Sequence, residues 1–133
     1  MPVLDNLLLR LGTFSLTGLL NTGIGFLVIL CGGLLGLSPL IANALGYAVG
    51  LIISFTLNST LTFRGRERNQ STVIRFLVAF AFSYSANVLT VLVVTRLLPL
   101  HHLISSLVGL PVYTLVFFTL CETWVYASRG HSP

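Results

Sequence analysis

The sequence predicts an all-α membrane protein: four transmembrane helices joined as two helical hairpins, with the N and C termini cytoplasmic. Three observations predict it. Apolar side chains make up 55% of the 133 residues and charged ones only 8%, against about 25% charged in an ordinary soluble domain. The charge-free runs are long enough to hold whole spans, and the basic residues gather on one side of them. So few charges could not cover a globule of this size. A cytosolic enzyme, a secreted disulfide module and a disordered tail are thereby excluded.

From Leu11 to Phe63 the chain carries no charge. A bilayer core of roughly 30 Å takes about 20 helical residues, so this run is too long for one span and fits two. The stretch from Gly32-Gly33 to Ser38-Pro39 punctuates it. The first helix is expected at about Leu9–Cys31 and the second at about Pro39–Thr62. The polar segment Arg64–Thr72 reads as a cytoplasmic loop. Phe76–Thr95 is again free of charge and sets the third helix at about Val73–Leu98. Pro99-Leu100-His101-His102 makes a short turn, with the histidines read as solvated. The fourth helix runs about Leu103–Tyr126 and is expected to kink at Pro111, whose ring removes a backbone hydrogen bond. Residues 1–133 thus form a single integral membrane domain.

All seven basic residues are Arg. With an even number of spans, both termini and the Arg64–Thr72 loop share one side. That side holds Arg10, Arg64, Arg66, Arg68, Arg75 and Arg129, and the other only Arg96, so the positive-inside rule places it in the cytoplasm. The net charge of +4 is read as anchoring of helix ends, with no nucleic-acid partner. Phe63, Trp124 and Tyr126 fall at the cytoplasmic interface. The first helix lacks the positive leader and the A-x-A-like site of a cleaved signal. Cys31 and Cys121 lie toward opposite faces, well beyond the roughly 7 Å between Cα atoms that a disulfide spans. No metal spacing, nucleophile–base pair or phosphate loop is visible, so neither catalysis nor a cofactor is expected.

Sliding the chain by 63 positions aligns Leu40–Phe63 with Leu103–Tyr126 without a gap, and eight of 24 positions are identical. The best stretch sets Phe55–Phe63 against Phe118–Tyr126. The first helices match more weakly: Arg10 precedes Asn21 by 11 residues and Arg75 precedes Asn87 by 12. Each copy has two spans, which makes this a parallel repeat of the kind some transporters use. The repeat argues for a site between the halves; duplication of a stable hairpin also explains it.

Small and polar residues recur every fourth position: Ala42, Gly46, Gly50, Ser54 and Asn58 in the second helix, Thr13, Thr17, Asn21 and Gly25 in the first, Ala79, Ser83 and Asn87 in the third. Residues four apart share a helix face, so each helix has a narrow ridge. Such ridges are packing seams that let helices approach in lipid, or they line a polar path. At 1.5 Å per residue, Asn21 and Asn87 fall near the midplane, and Asn58 and Glu122 near the cytoplasmic end. Glu122, the one acid within a span, is read as an ion-pair partner of Arg10 or Arg75, as a working site, or as a group reaching the interface.

The Arg10…Asn21 opening, the SFTLNSTLTF stretch of Ser54–Phe63, the basic loop, the Arg75-Phe76 start of the third helix and the decayed second copy in the fourth together resemble the GtrA-like family, from about Arg10 to Tyr126. Cys121 stands where members often keep an Asn, beside Glu122. The resemblance implies a flippase or flippase component that moves a polyprenyl-phosphate-linked sugar from the inner to the outer leaflet of a bacterial cytoplasmic membrane. It serves cell-envelope polysaccharide synthesis or glycosylation beside partner glycosyltransferases. Arg10 and Arg75 then suit the phosphate, which guanidinium groups bind bidentately. Asn21, Asn58, Asn87 and Glu122 complete the substrate-binding set, and Arg64, Arg66 and Arg68 suit anionic membrane lipids or a partner enzyme. Two other readings stand: a non-transporting partner that recruits or anchors a glycosyltransferase, and a small proton-coupled exporter. Four short helices enclose little volume, so a homodimer would enlarge any cavity.

Overall fold

The computed structural model describes residues 2–98 and 102–127. Among them every regular element is helical: α1 (Pro2–Leu34), α2 (Pro39–Leu57), α3 (Gln70–Leu97) and α4 (His102–Leu120). All four are long and apolar enough to cross a membrane. The chain divides into two compact units, Met1–Gly65 and Arg66–Pro133. Each is one helical hairpin, α1 on α2 and α3 on α4. Large apolar side chains such as Leu19, Ile52, Leu89 and Leu110 stay exposed, a surface that lipid covers. The chain is a multi-pass membrane protein.

The helix ends have local causes. Pro2 opens α1, where its missing N–H costs nothing, and Asp5 in the first turn complements the helix dipole. The helix therefore starts well before the expected Leu9. It also runs through Gly32 and Gly33 and stops at Gly36, which has φ +82°. There Leu37 N–H donates to the Gly32 carbonyl at 3.0 Å and Gly36 N–H to the Gly33 carbonyl at 3.1 Å, the glycine-terminated helix stop. Gly32 serves contact instead: a methyl on it would lie 3.0 Å from the Ala42 methyl of α2.

Ser38 caps α2 by accepting from Ile41 N–H at 3.4 Å, with Pro39 in the first turn. Asn69 caps α3 reciprocally with Thr72: Thr72 N–H donates to Asn69 Oδ1 at 2.9 Å, and Asn69 N–H to Thr72 Oγ1 at 3.2 Å. The cap starts α3 at Gln70 rather than Val73. Helix α4 continues through Pro111. Pro99–His101 and Arg129 lie outside the described residues.

Helices α2 and α4 each run into a five-residue π turn, Asn58–Thr62 and Cys121–Val125. The turns close with Phe63 N–H on the Asn58 carbonyl at 2.8 Å and Tyr126 N–H on the Cys121 carbonyl at 2.9 Å. Widening the last turn swings the closing aromatic inward. Phe63 and Tyr126 are each 1% exposed, and Phe63 meets Phe14 edge-on at 6.3 Å. Protein thus covers both rings, while Trp124, expected beside them, remains 40% exposed.

Candidate functional site

The ridges form the seams of the hairpins. All five ridge residues of α2 are buried, and they meet α1 in order. Gly46 faces Ile29 and the Gly25 carbonyl, and Gly50 faces Asn21: a methyl on Gly50 would stand 3.1 Å from Asn21 Oδ1. In unit 2, Gly109 faces Asn87 and Val91. Gly46 and Gly109 are equivalent in the ungapped repeat, so Gly25 corresponds to Asn87 and Ile29 to Val91. The equivalence expected between Asn21 and Asn87, and between Arg10 and Arg75, is therefore corrected. Asn21 matches Ser83, and Asn87 lies one helical turn further along its seam. Two Arg–Asn spacings that differ by a residue define no register, whereas a glycine that admits one neighbour does.

At the end of unit 1, Asn58 is 1% exposed and engaged through both polar atoms of its amide. Its Oδ1 accepts from the Thr17 hydroxyl at 3.0 Å and the Thr62 hydroxyl at 3.1 Å, and its Nδ2 donates to Ser54 Oγ at 3.3 Å. Thr17 shares its proton with the Phe14 carbonyl at 2.8 Å. Asn58 is thus a clamp between α1 and the π turn of α2. The matching positions of unit 2 are Ala79, Phe117, Cys121 and Val125, all buried. Around them rings replace the polar seam: Phe76 and Phe117 are centred 5.1 Å apart, Tyr113 and Phe117 5.5 Å.

At the equivalent end of unit 2 the charges gather. Arg66 donates from Nη1 to the Glu122 carbonyl at 3.1 Å and the Tyr126 carbonyl at 2.8 Å, and from Nη2 to Glu122 Oε1 at 2.9 Å. The pair is mostly buried, with side chains 17% and 20% exposed. Arg75 reaches the same turn, where its Nη1 donates to the Trp124 carbonyl at 3.4 Å and its guanidinium lies 6.0 Å from the centre of the Trp124 ring. Carbonyls at a helix C-terminus attract cations, which explains both arginines. The ion pair of Glu122 is with Arg66, whereas Arg75, one of the two partners expected for it, bonds the Trp124 carbonyl instead.

Of the six candidate residues, Arg75 and Glu122 meet at the π turn of unit 2, and Asn87 lies deeper in the same hairpin. Arg10, half-buried, belongs to unit 1 with Asn21 and Asn58. Asn21 Oδ1 and Asn87 Oδ1 are buried and accept no hydrogen bond. The sequence reading missed Thr62, which extends the α2 ridge by one more turn and could have been found there. It also missed Arg66 as the ion-pair partner of Glu122, because a loop arginine carries no periodic signal. Among the described residues no three His, Cys, Asp or Glu side chains cluster as metal ligands do.

The family model described as GtrA/DPMS, transmembrane domain, matches residues 13–126. No curated protein matches the chain significantly.

Proposed function

Because the chain belongs to the GtrA/DPMS transmembrane-domain family, whose setting is glycosyl-lipid-related processes at a membrane, we propose that it is a flippase or a flippase component. It moves a polyprenyl-phosphate-linked sugar from the inner to the outer leaflet of a bacterial cytoplasmic membrane, for cell-envelope polysaccharide synthesis or glycosylation. It makes and breaks no covalent bond and uses no cofactor. Both termini and the Arg64–Asn69 loop face the cytoplasm, where the sugar lipid is made.

The observation that carries this reading is the pair of unsatisfied amide oxygens, Asn21 Oδ1 and Asn87 Oδ1, inside their spans. A buried acceptor left unpaired costs about 1–3 kcal/mol, a cost that an apolar side chain at either position would avoid. A sugar headgroup brings hydroxyl donors that relieve it during passage, while the isoprenoid tail stays in lipid. Half-buried Arg10 and Arg75 give the phosphate guanidinium partners at the cytoplasmic ends of their helices. The exposed Arg64 and Arg68 favour a second reading, in which the chain recruits a membrane glycosyltransferase through its loop.

The test is reconstitution in liposomes with a short-chain polyprenyl-phosphate sugar, following leaflet exchange with and without a proton gradient. Asn21→Ala and Asn87→Ala suit it, since truncation adds no bulk against Gly50 or Gly109. Each variant should insert normally and lose most of the exchange. Wild-type exchange in both would refute transport through these amides. Loss of partner-enzyme activity in Arg64→Ala and Arg68→Ala, with no exchange by the wild type, would establish the recruiter.

A further inference from the structure

We propose that the middle of unit 2 is a sugar-stacking subsite: the exposed ring of Tyr84, backed by Phe80 and Tyr113, receives the pyranose of the lipid headgroup, with Asn87 beside it. The inference rests on the transport reading above for the identity of the lipid, and on the geometry of unit 2 for the site.

Tyr84 sits at the middle of the 28-residue α3, with roughly 20 Å of helix on either side, and it is 46% exposed. Tyrosine ordinarily stands at the membrane surface, where its ring lies in lipid and its hydroxyl in water. At mid-span a hydroxyl turned to acyl chains forfeits that water and its hydrogen bonds. Half-buried Tyr113 takes the matching depth in the other helix, midway between His102 and Val125. Phe80 joins the two: its ring stacks on Tyr84 at 6.2 Å and 15°, and it meets Tyr113 edge-on at 6.2 Å. Buried Phe117 contacts both Phe80 and Tyr113. The Tyr84 ring is thus held by a wall of rings and loses little freedom when a ligand meets it.

Packing within the hairpin does not account for the whole wall. In the register of the repeat, Phe80, Tyr84, Tyr113 and Phe117 stand where unit 1 has Gly18, Thr22, Gly50 and Ser54. Phe117 fills the seam, but Tyr84 lies outside it and leaves nearly half of its surface uncovered. A pyranose matches this surface on two counts. Its ring C–H groups carry slight positive charge, which the negative face of an aromatic ring attracts. Its hydroxyls need acceptors, and Asn87, three residues from Tyr84 on the same side of α3, has a buried amide oxygen that accepts no hydrogen bond. An acyl chain would suit the ring and leave both the phenol and the amide unsatisfied. Substrate sites of transporters lie near the bilayer midplane, the depth at which these groups stand. One exposed ring fits one sugar.

The experiment measures equilibrium binding to the full chain in zwitterionic nanodiscs. The probes are a short-chain polyprenyl-phosphate hexose and the same polyprenyl phosphate without its sugar. Tyr84→Leu keeps apolar bulk and loses the ring face. It should bind the hexose probe about fivefold more weakly, the scale of one aromatic contact, and the sugar-free probe as the wild type does. Tyr84→Phe keeps the ring and should bind the hexose probe within about twofold of wild type, since the stacking contact survives. Wild-type binding of the hexose probe by Tyr84→Leu, an equal loss for both probes, or a loss in Tyr84→Phe as large as in Tyr84→Leu overturns the proposal. Equal affinity of the wild type for the two probes does the same. Should Tyr84→Leu not fold, fluorine NMR of Tyr84 carrying one ring fluorine decides: its signal shifts on adding the hexose probe. A static signal, or an equal shift with the sugar-free probe, refutes the subsite. A signal that moves with the protein-to-lipid ratio instead gives the ring to a contact between copies and also refutes it. Sugar-dependent binding without accelerated leaflet exchange would refute translocation and leave the subsite standing. Exchange by a chain whose Tyr84→Leu variant binds as wild type would do the reverse.

Discussion

Replacing Asn58 by Leu should expose how the clamp at the end of unit 1 is stabilised. Leucine keeps most of the volume and removes every polar atom. Three hydrogen bonds disappear, to Thr17, Thr62 and Ser54. At about 0.6 kcal/mol for an average side-chain bond between membrane helices, the loss comes to about 2 kcal/mol. Thr17 keeps the Phe14 carbonyl, so the burden falls on Thr62 and Ser54, whose hydroxyls lose an amide partner in a buried site. Adding Thr17→Val, Ser54→Ala and Thr62→Val removes those hydroxyls as well. Removing both sides of a buried hydrogen bond is far less costly than removing one. The fourfold variant should therefore be no less stable than Asn58→Leu alone, although each added change costs stability in the wild type. Graded SDS unfolding in mixed micelles, run as a mutant cycle, gives the coupling, expected at about 1 kcal/mol or more. Additive costs, or an Asn58→Leu variant within about 0.5 kcal/mol of wild type, would refute the clamp.

Two further outcomes follow from the packing of the hairpins. Gly46→Ala places a methyl against Ile29 and 2.9 Å from the Gly25 carbonyl oxygen, and Gly109→Ala collides with Asn87, so each should lose about 1–3 kcal/mol of stability. Gly23→Ala, which meets no atom within 4 Å, should be neutral or gain up to about 1 kcal/mol, and the contrast is read in the same unfolding assay. Cys31 is exposed and Cys121 buried, so a membrane-impermeant maleimide should label Cys31 from the outer face and spare Cys121 until the protein unfolds. Labelling of Cys31 from the cytoplasmic face would overturn the proposed orientation.

What the sequence disclosed follows from which interactions are periodic. Span number came from charge-free length, and the α2 seam from five small residues at one spacing, since both are sums over many positions. Ser38-Pro39 marked its helix start because a cap is local. The end of α1 was harder: Gly32, Gly33 and Gly36 are all glycines, and only the backbone shows that Gly32 serves contact with Ala42 while Gly36 takes the positive φ. The inward turn of Phe63 and Tyr126 depends on π turns, which have no sequence period. The Arg66–Glu122 pair joins a loop to a helix end across 56 residues, and charge type alone did not choose Arg66 over its neighbours.

The match between the units explains why Cys121 stands where Asn58 would be repeated. Asn58 is satisfied only because Thr17, Ser54 and Thr62 surround it, and an amide among Ala79, Phe117 and Val125 would find no such partners. A half-satisfied polar network is worse than an apolar one, so the four positions must be polar together or apolar together. Unit 1 holds the first solution and unit 2 the second, with Phe117 and Phe76 filling the space. The loss of the amide therefore does not leave unit 2 a damaged copy of unit 1. It moves the polar chemistry of that end from the buried seam to the partly exposed turn, where Glu122, Arg66 and Arg75 meet. Asn58, buried and bonded through both its amide oxygen and its amide nitrogen, has little left to offer a ligand.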